Sequence, residues 1–171
     1  MSDTSGRRFR AAVVTVSDKG AAGEREDRSG KVVRELLEAA GLAVERSEIV
    51  PDEVEVLSGL MVELCDRGFD LVVTTGGTGI SPRDVTPEAT RAVIDREVPG
   101  MAEAMRASSC RVTPHAMISR AVCGLRGATL LINLPGSPKG AKENLEVVLP
   151  AVPHALEVAG GLASECAQPL D

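Results

Sequence analysis

Four short apolar runs, rich in β-branched residues and spaced by segments of helical periodicity, constrain this chain more than any other feature. They are RAAVVTVS (10–17), LAVERSEIV (42–50), DLVVTT (70–75) and ATLLINL (128–134). Three of the four are nearly continuous in apolar residues, the pattern of strands covered on both faces, and the second is more polar. Between the first two, Val32, Val33, Leu36, Leu37 and Ala40 fall on one helical stripe that Gly41 stops. Between the next two, Val54, Leu57, Leu60, Met61 and Leu64 do the same before Gly68. Strands alternating with helices predict an α/β fold: a mostly parallel sheet with helices on both faces, a three-layer sandwich.

The remaining segments fill in that plan. Thr86 reads as the N-cap of a helix over 87–97, with Pro87 at its first position and Glu88 in its first turn. PGMAEAMRASS (99–109) reads as a further helix, TPHAMISRAVCG (113–124) as a helix or a short turn of one. AKENLEVVLPAVPHALEVAGG (141–161) reads as a long helix bent at Pro150 or Pro153. At 171 residues and 43% hydrophobic content, the chain predicts one domain over 1–171, with a core of about residues 9–160. Phe9 and Phe69 are its only aromatics, so the core must be aliphatic and base recognition by stacking is disfavoured. A net charge of −6 without a Lys/Arg stripe argues against nucleic acid and anionic membranes as partners. No run approaches a membrane span, and a cytoplasmic location is expected. Cys65, Cys110, Cys123 and Cys166 show no C-x-x-C pairing and read as thiols, neither disulfides nor zinc ligands.

In sheets of this kind ligands bind beyond the carboxyl ends of the strands. There the sequence places Ser17-Asp18, Pro51-Asp52, the stretch TTGGTGISPRDVTPE (74–88) and NLPGSPK (133–139). Thr74, Thr75, Gly76, Gly77, Thr78 and Gly79 offer bare backbone N–H groups and hydroxyls, the equipment of a phosphate cradle, though they match neither the P-loop nor the dinucleotide fingerprint. Asp84, held between Pro82 and Pro87, reads as a Mg²⁺ ligand or a phosphate positioner, with Asp52 as its counterpart. Helix capping is the competing reading of both carboxylates. His115 and His154 sit in helical contexts that favour packing or surface roles.

Taken together, TTGGTG, RDVTPEAT, REVPGMAEAMR, AMISRAV and LINLPGSPK resemble the molybdopterin adenylyltransferases, and the homologous G domains of plant and animal fusion proteins such as gephyrin. The resemblance runs from about Phe9 to Gly160. It implies an α/β protein, usually trimeric, that joins ATP to the terminal phosphate of molybdopterin and releases pyrophosphate. Mapped onto this sequence, it implies Asp84 and Asp52 as the catalytic acids and metal ligands. Gly76, Gly77, Thr78 and Gly79 take the nucleotide loop, closed by Ser17 and Asp18. Ser119, Arg120, Asn133, Pro135, Gly136 and Pro138 fall on the molybdopterin side. The second domain of the plant and animal fusions is absent from this sequence, so molybdate insertion is expected to fall to a separate protein.

The chemistry requires no histidine. A phosphate monoester with a second pKa of about 6 is largely dianionic at neutral pH and can attack an α-phosphate without a general base. Catalysis then rests on positioning two anions and screening their repulsion, with Mg²⁺ and the candidates Arg83, Arg120 and Lys139; Lys139 reads equally as a solvated charge. Three other functions compete. A serine hydrolase is disfavoured because GISPR around Ser81 lacks the last glycine of a nucleophile elbow. A molybdopterin-binding scaffold without chemistry is opposed by the presence of both Asp52 and Asp84. A nucleotide-binding regulator would bind ATP without responding to a pterin.

Overall fold

In the computed structural model, which describes residues 8–162, the four expected strands lie side by side and parallel. They are β1 (Arg10–Val16), β2 (Ala43–Val50), β3 (Leu71–Thr75) and, numbered sixth in chain order, β6 (Thr129–Leu134). The register brings their carboxyl ends level. Val16 pairs Val50, Thr15 pairs Thr75, and Thr75 pairs Leu134. The residues that follow these ends therefore share one rim of the sheet.

Helices cover both faces. On one side α2 (Arg28–Ala39), α5 (Pro99–Cys110), α6 (Pro138–Val148) and α7 (Val152–Ala159) pack on Ala11, Val13, Leu71, Val73, Leu130 and Ile132. On the other, α3 (Val54–Asp66) and α4 (Thr86–Val93) pack on Ala12, Val14, Val72 and Leu131. Successive strand residues thus feed opposite cores, which is why these runs carry no polar alternation. The described residues of both cores are aliphatic apart from Phe9, Phe69, Met and Cys side chains. A short α1 (Asp18–Ala21), in a segment whose charge and glycine content predict no helix, follows β1 directly.

Two expectations need correction. Thr86 is not an N-cap: Val85 holds that position without a side-chain cap, and Thr86 is fully buried with its hydroxyl donating to the Gly76 carbonyl at 2.8 Å. The helix it opens ends at Val93, short of residue 97, because Arg96–Glu97 form an edge strand, β4, antiparallel to β5 (Cys123–Arg126). β5 turns through Gly127-Ala128 into β6, giving the order β2-β1-β3-β6-β5-β4. The sequence does not announce that hairpin because CGLR is too short and too mixed to show a period-2 signal; pairing with neighbours decides its conformation. The segment at 113–124, expected as a helix or a short turn of one, holds a 3₁₀ turn, Pro114–Ile118, and then the start of β5. The last helix is interrupted at Pro150 by a second 3₁₀ turn, Leu149–Ala151, between α6 and α7.

Both sheet edges are short or charged. β4 has two residues, and Glu45, Arg46 and Glu48 punctuate β2, with the Arg46 guanidinium bound by Glu48 and Glu63.

Candidate active site

At the rim where the parallel strands end, a cavity of about 850 Å³ opens between the first turn of α1, the glycine loop after β3 and the start of α6. Ser17, Asp52, Thr75, Gly76, Gly77, Asp84, Gly136 and Pro138 line it. The four strand ends singled out in the sequence therefore do converge on one site.

Why the loop must be bare is answered by packing as much as by any ligand. Gly76 and Gly77 have φ of 103° and 64°, a region disfavoured for residues with a side chain. A Cβ on Gly76 would also collide with the Val16 carbonyl, and one on Gly77 with the Thr86 hydroxyl. The loop is folded down onto its own strand ends, leaving its outer surface to the cavity.

The two acids flank this loop. A Cβ on Gly77 would lie 3.1 Å from Asp52 Oδ1, and one on Gly79 2.8 Å from Asp84 Oδ2. Asp84 accepts the Ser81 N–H at 2.8 Å while donating its own N–H to the Ser81 carbonyl at 2.9 Å, which fixes the turn that presents it. Asp52 and Asp18 exchange backbone bonds: the Asp18 N–H donates to Asp52 Oδ2 at 2.9 Å, the Asp52 N–H to Asp18 Oδ1 at 3.0 Å. Asp84 caps no helix, Val85 holding the N-cap position of α4, whereas Asp52 accepts the N–H of the first residue of α1, so the capping reading holds in part for it.

Charge is distributed unevenly between them. The Arg83 guanidinium grips Asp18 through two bonds of 2.9 and 2.8 Å and holds its pKa below the ordinary range. Burial pushes Asp52 up, and the neighbouring Asp18 and Asp84 charges push it further. Arg83 is therefore engaged with Asp18, and any role toward phosphate would require an exchange of partners. Lys139 is 77% exposed beside Glu143 and does not line the cavity.

The residues expected on the pterin side do not all line this cavity. Asn133 is fully buried and its amide is engaged inside the protein: Nδ2 donates to the Thr74 and Thr90 hydroxyls at 3.0 and 2.9 Å, and Oδ1 accepts the Val122 N–H at 3.1 Å. It ties β3, β6 and α4 together beneath the site. Ser119, Arg120 and Pro135 also lie outside the cavity lining. Arg120 instead binds the carbonyls of Gly79 and Asp84, and the Pro135 carbonyl accepts the Thr75 hydroxyl at 2.7 Å. Gly136 and Pro138 do line it, while Asp18, Thr78 and Gly79 stand behind or beside it.

Sequence reasoning missed Thr15, Arg25, Asp27, Arg28 and Ser137, all in the lining. Asp27 caps α2 and accepts the Thr15 hydroxyl at 2.7 Å, and Ser137 caps α6. The signal was present as two further N-cap patterns, D-R-S-G and S-P-K-G. Their consequence is that the amino ends of two helices, of 12 and 11 residues, face the cavity, where backbone N–H groups and helix dipoles favour anions.

Among the described residues no group of three or more His, Cys, Asp or Glu side chains forms a metal cage. A nucleotide-borne Mg²⁺ needs none, because it takes one or two carboxylates and fills its shell with phosphate and water oxygens. Asp52 and Asp84 fit that requirement: among the described residues, hydrogen bonds engage only one oxygen of each. The three described thiols are unpaired, with Cys123 buried and pushed up to about 12, Cys65 half-buried and Cys110 exposed; Cys166 lies outside the described residues.

Comparison with known proteins agrees with this geometry. The "Molybdopterin adenylyltransferase" of Helicobacter pylori strain J99 is 44% identical over 149 residues, covering 85% of each chain. The "Gephyrin" of Dictyostelium discoideum is 41% identical over 84% of this chain and 21% of its own length. The crystal structure of the molybdopterin biosynthesis enzyme MoaB from Thermus thermophilus superposes with a TM-score of 0.85 at 53% identity, covering 90% of this chain and 97% of that one. The sequence model described as "Probable molybdopterin binding domain" matches residues 12–154, which span the sheet, the glycine loop and both acids, and the chain belongs to that family.

Proposed function

We propose that this protein transfers the adenylyl group of ATP to the terminal phosphate of molybdopterin, giving adenylyl-molybdopterin and pyrophosphate in molybdenum cofactor biosynthesis. The observation that carries the reading is the flanking of one glycine loop by Asp52 and Asp84 in a single cavity beyond the strand ends. In this reading a terminal phosphate oxygen of molybdopterin forms the new bond to the α-phosphorus of ATP, and the bond to the β-phosphate oxygen breaks. The attacking dianion needs no base, so the protein's task is alignment. Ser17, Thr75, Gly76 and Gly77 cradle the nucleotide, with the α2 and α6 amino ends supplying N–H groups. Gly136 and Pro138 border the pterin. Asp52 and Asp84 would hold Mg²⁺, which neutralises phosphate charge when bound.

The unit that does this is a single domain, core about residues 9–160, working in the cytoplasm as a homotrimer and handing its product to a separate molybdate-insertion protein. Val112, Met117 and Ile118, exposed at 64, 69 and 49% around the first 3₁₀ turn, support self-association. Sedimentation at micromolar concentration is expected to return three chains, and a monomer would refute that part. The function is tested by incubating protein, ATP, Mg²⁺ and molybdopterin and identifying the product. Adenylyl-molybdopterin is expected; binding of the pterin without product would make the protein a scaffold.

A further inference from the structure

The loop that carries Asp84 leaves the core at Gly77 and returns at Thr86, and it is pinned at that base. The Thr86 N–H donates to the Gly77 carbonyl at 3.1 Å and its hydroxyl to the Gly76 carbonyl. Among the described residues, these base bonds leave the far part of the loop, Gly79 to Asp84, to be placed by contacts further out, one of them the Arg83–Asp18 ion pair. The Asp84–Ser81 turn is internal to that part and travels with it.

Two side chains from outside reach it: the Asp18 carboxylate takes only the Arg83 side chain, at 2.9 and 2.8 Å, whereas Arg120 takes the loop's backbone. The Arg120 Nε–H donates to the Gly79 carbonyl at 2.6 Å, and Nη2 donates to the Asp84 carbonyl at 2.7 Å and to Glu88 Oε2 at 3.4 Å. Nη1 donates to Glu88 Oε1. The backbone of the same residue joins in, its N–H donating to the Thr78 carbonyl at 2.9 Å. One planar fork thus spans both ends of the loop's far part, while Glu88, in the first turn of α4, binds the fork and neutralises it. Glu88 in turn is held below its ordinary pKa, chiefly by its bond to Arg120.

Resting on the adenylyl-transfer reading, we propose that Arg120 is a positioning residue, which sets the place of the Asp84 carboxylate by clamping the Gly79 and Asp84 carbonyls, and does not bind substrate. The chemistry of the guanidinium favours this over a phosphate contact. Its donors already meet two carbonyls and a carboxylate, and a phosphate could recruit them only by releasing the loop that presents Asp84. Lysine cannot replace it, because one ammonium nitrogen cannot lie within bonding distance of both carbonyls and Glu88 in the directions a fork provides.

Amide hydrogen exchange on the substrate-free protein decides the matter without depending on activity. In Arg120→Met, similar in length and lacking donors, exchange at Ser81, Asp84 and Thr86 is expected to accelerate by about tenfold or more, with β1 and β3 unchanged. In turnover, kcat is expected to fall about tenfold while KM for ATP and for molybdopterin each stay within about threefold. Arg120→Lys is expected to recover part of both effects, and it serves as the test should the methionine variant not fold. Loop exchange identical to wild type in both variants would overturn the clamp, as would a raised KM for molybdopterin at unchanged kcat, which would return Arg120 to the substrate. Should the wild type transfer no adenylyl group, the exchange measurement still accepts or rejects the clamp.

Discussion

Two polar assemblies link strand ends at this site, and they are built on opposite principles. The Asp18–Asp52–Arg83 group joins the ends of β1 and β2 with charged side chains at the wet rim. The Asn133–Thr74–Thr90 group joins β3, β6 and α4 with neutral side chains, all three fully buried. A charged group can exchange partners at low cost only where water screens it, whereas a neutral amide in the core must have every bond met and then cannot let go. The rim is suited to receiving an anion and a cation; the network beneath is suited to holding the floor still.

The sharpest way to break that division is Asp84→Asn, which keeps size and removes one charge at the rim. Adenylyl transfer is expected to fall about a hundredfold or more with an unchanged circular-dichroism melt and intact molybdopterin binding. Full activity in a kinetic assay would remove Asp84 from the mechanism and leave Asp52 as the essential acid.

Asn133→Ala is the converse, expected to cost about 2–4 kcal/mol in urea unfolding, because the buried Val122 N–H loses its acceptor. A loss under about 1 kcal/mol would mean that the neutral network is not the lock described.

Asp52→Asn probes the rim from the stability side. The folded pKa of Asp52 lies above its ordinary value of 3.8, so its ionisation opposes folding. That penalty is absent below 3.8, grows as pH climbs toward the folded pKa, and is complete above it. The variant is therefore expected to melt higher than wild type at pH 7 and to converge with it in acid. A melting scan showing a lower Tm at pH 7 would contradict the burial argument.

Lys139→Ala should do least. Its partner Glu143 is 3.8 Å away on an exposed helix face, so stability is expected to change by less than about 0.5 kcal/mol and KM for both substrates to hold. A raised KM would bring Lys139 into the site.

What was legible in the sequence followed the range over which each signal acts. Three of the four parallel strands were readable because burial on both faces writes a continuous apolar run, and the acids were readable because glycines and prolines punctuate the loops that carry them. Thr86 misled because a threonine before proline looks the same whether its hydroxyl caps a helix or reaches back ten residues to the Gly76 carbonyl. Asn133 shows a related limit: at a strand end beside a Gly/Pro loop, only the packing of Thr74 and Thr90 around it reveals the bonds its amide makes inside. Arg25 and Asp27 were passed over because α2 brings them to the cavity from a charged segment indistinguishable from solvated loop.

The charged edge of β2 and the two-residue β4 have a consequence away from catalysis. Three central strands this apolar would offer an efficient template for fibre growth if either border of the sheet could accept another chain. An intruding strand meets the Arg46–Glu48–Glu63 cluster on one side and a stub of Arg96 and Glu97 on the other, so strand-by-strand accretion has nowhere to start on the folded protein. Precipitation on storage should then track the rate of opening of the sheet, not the concentration of the native form, and agents that slow unfolding should protect the protein better than dilution does.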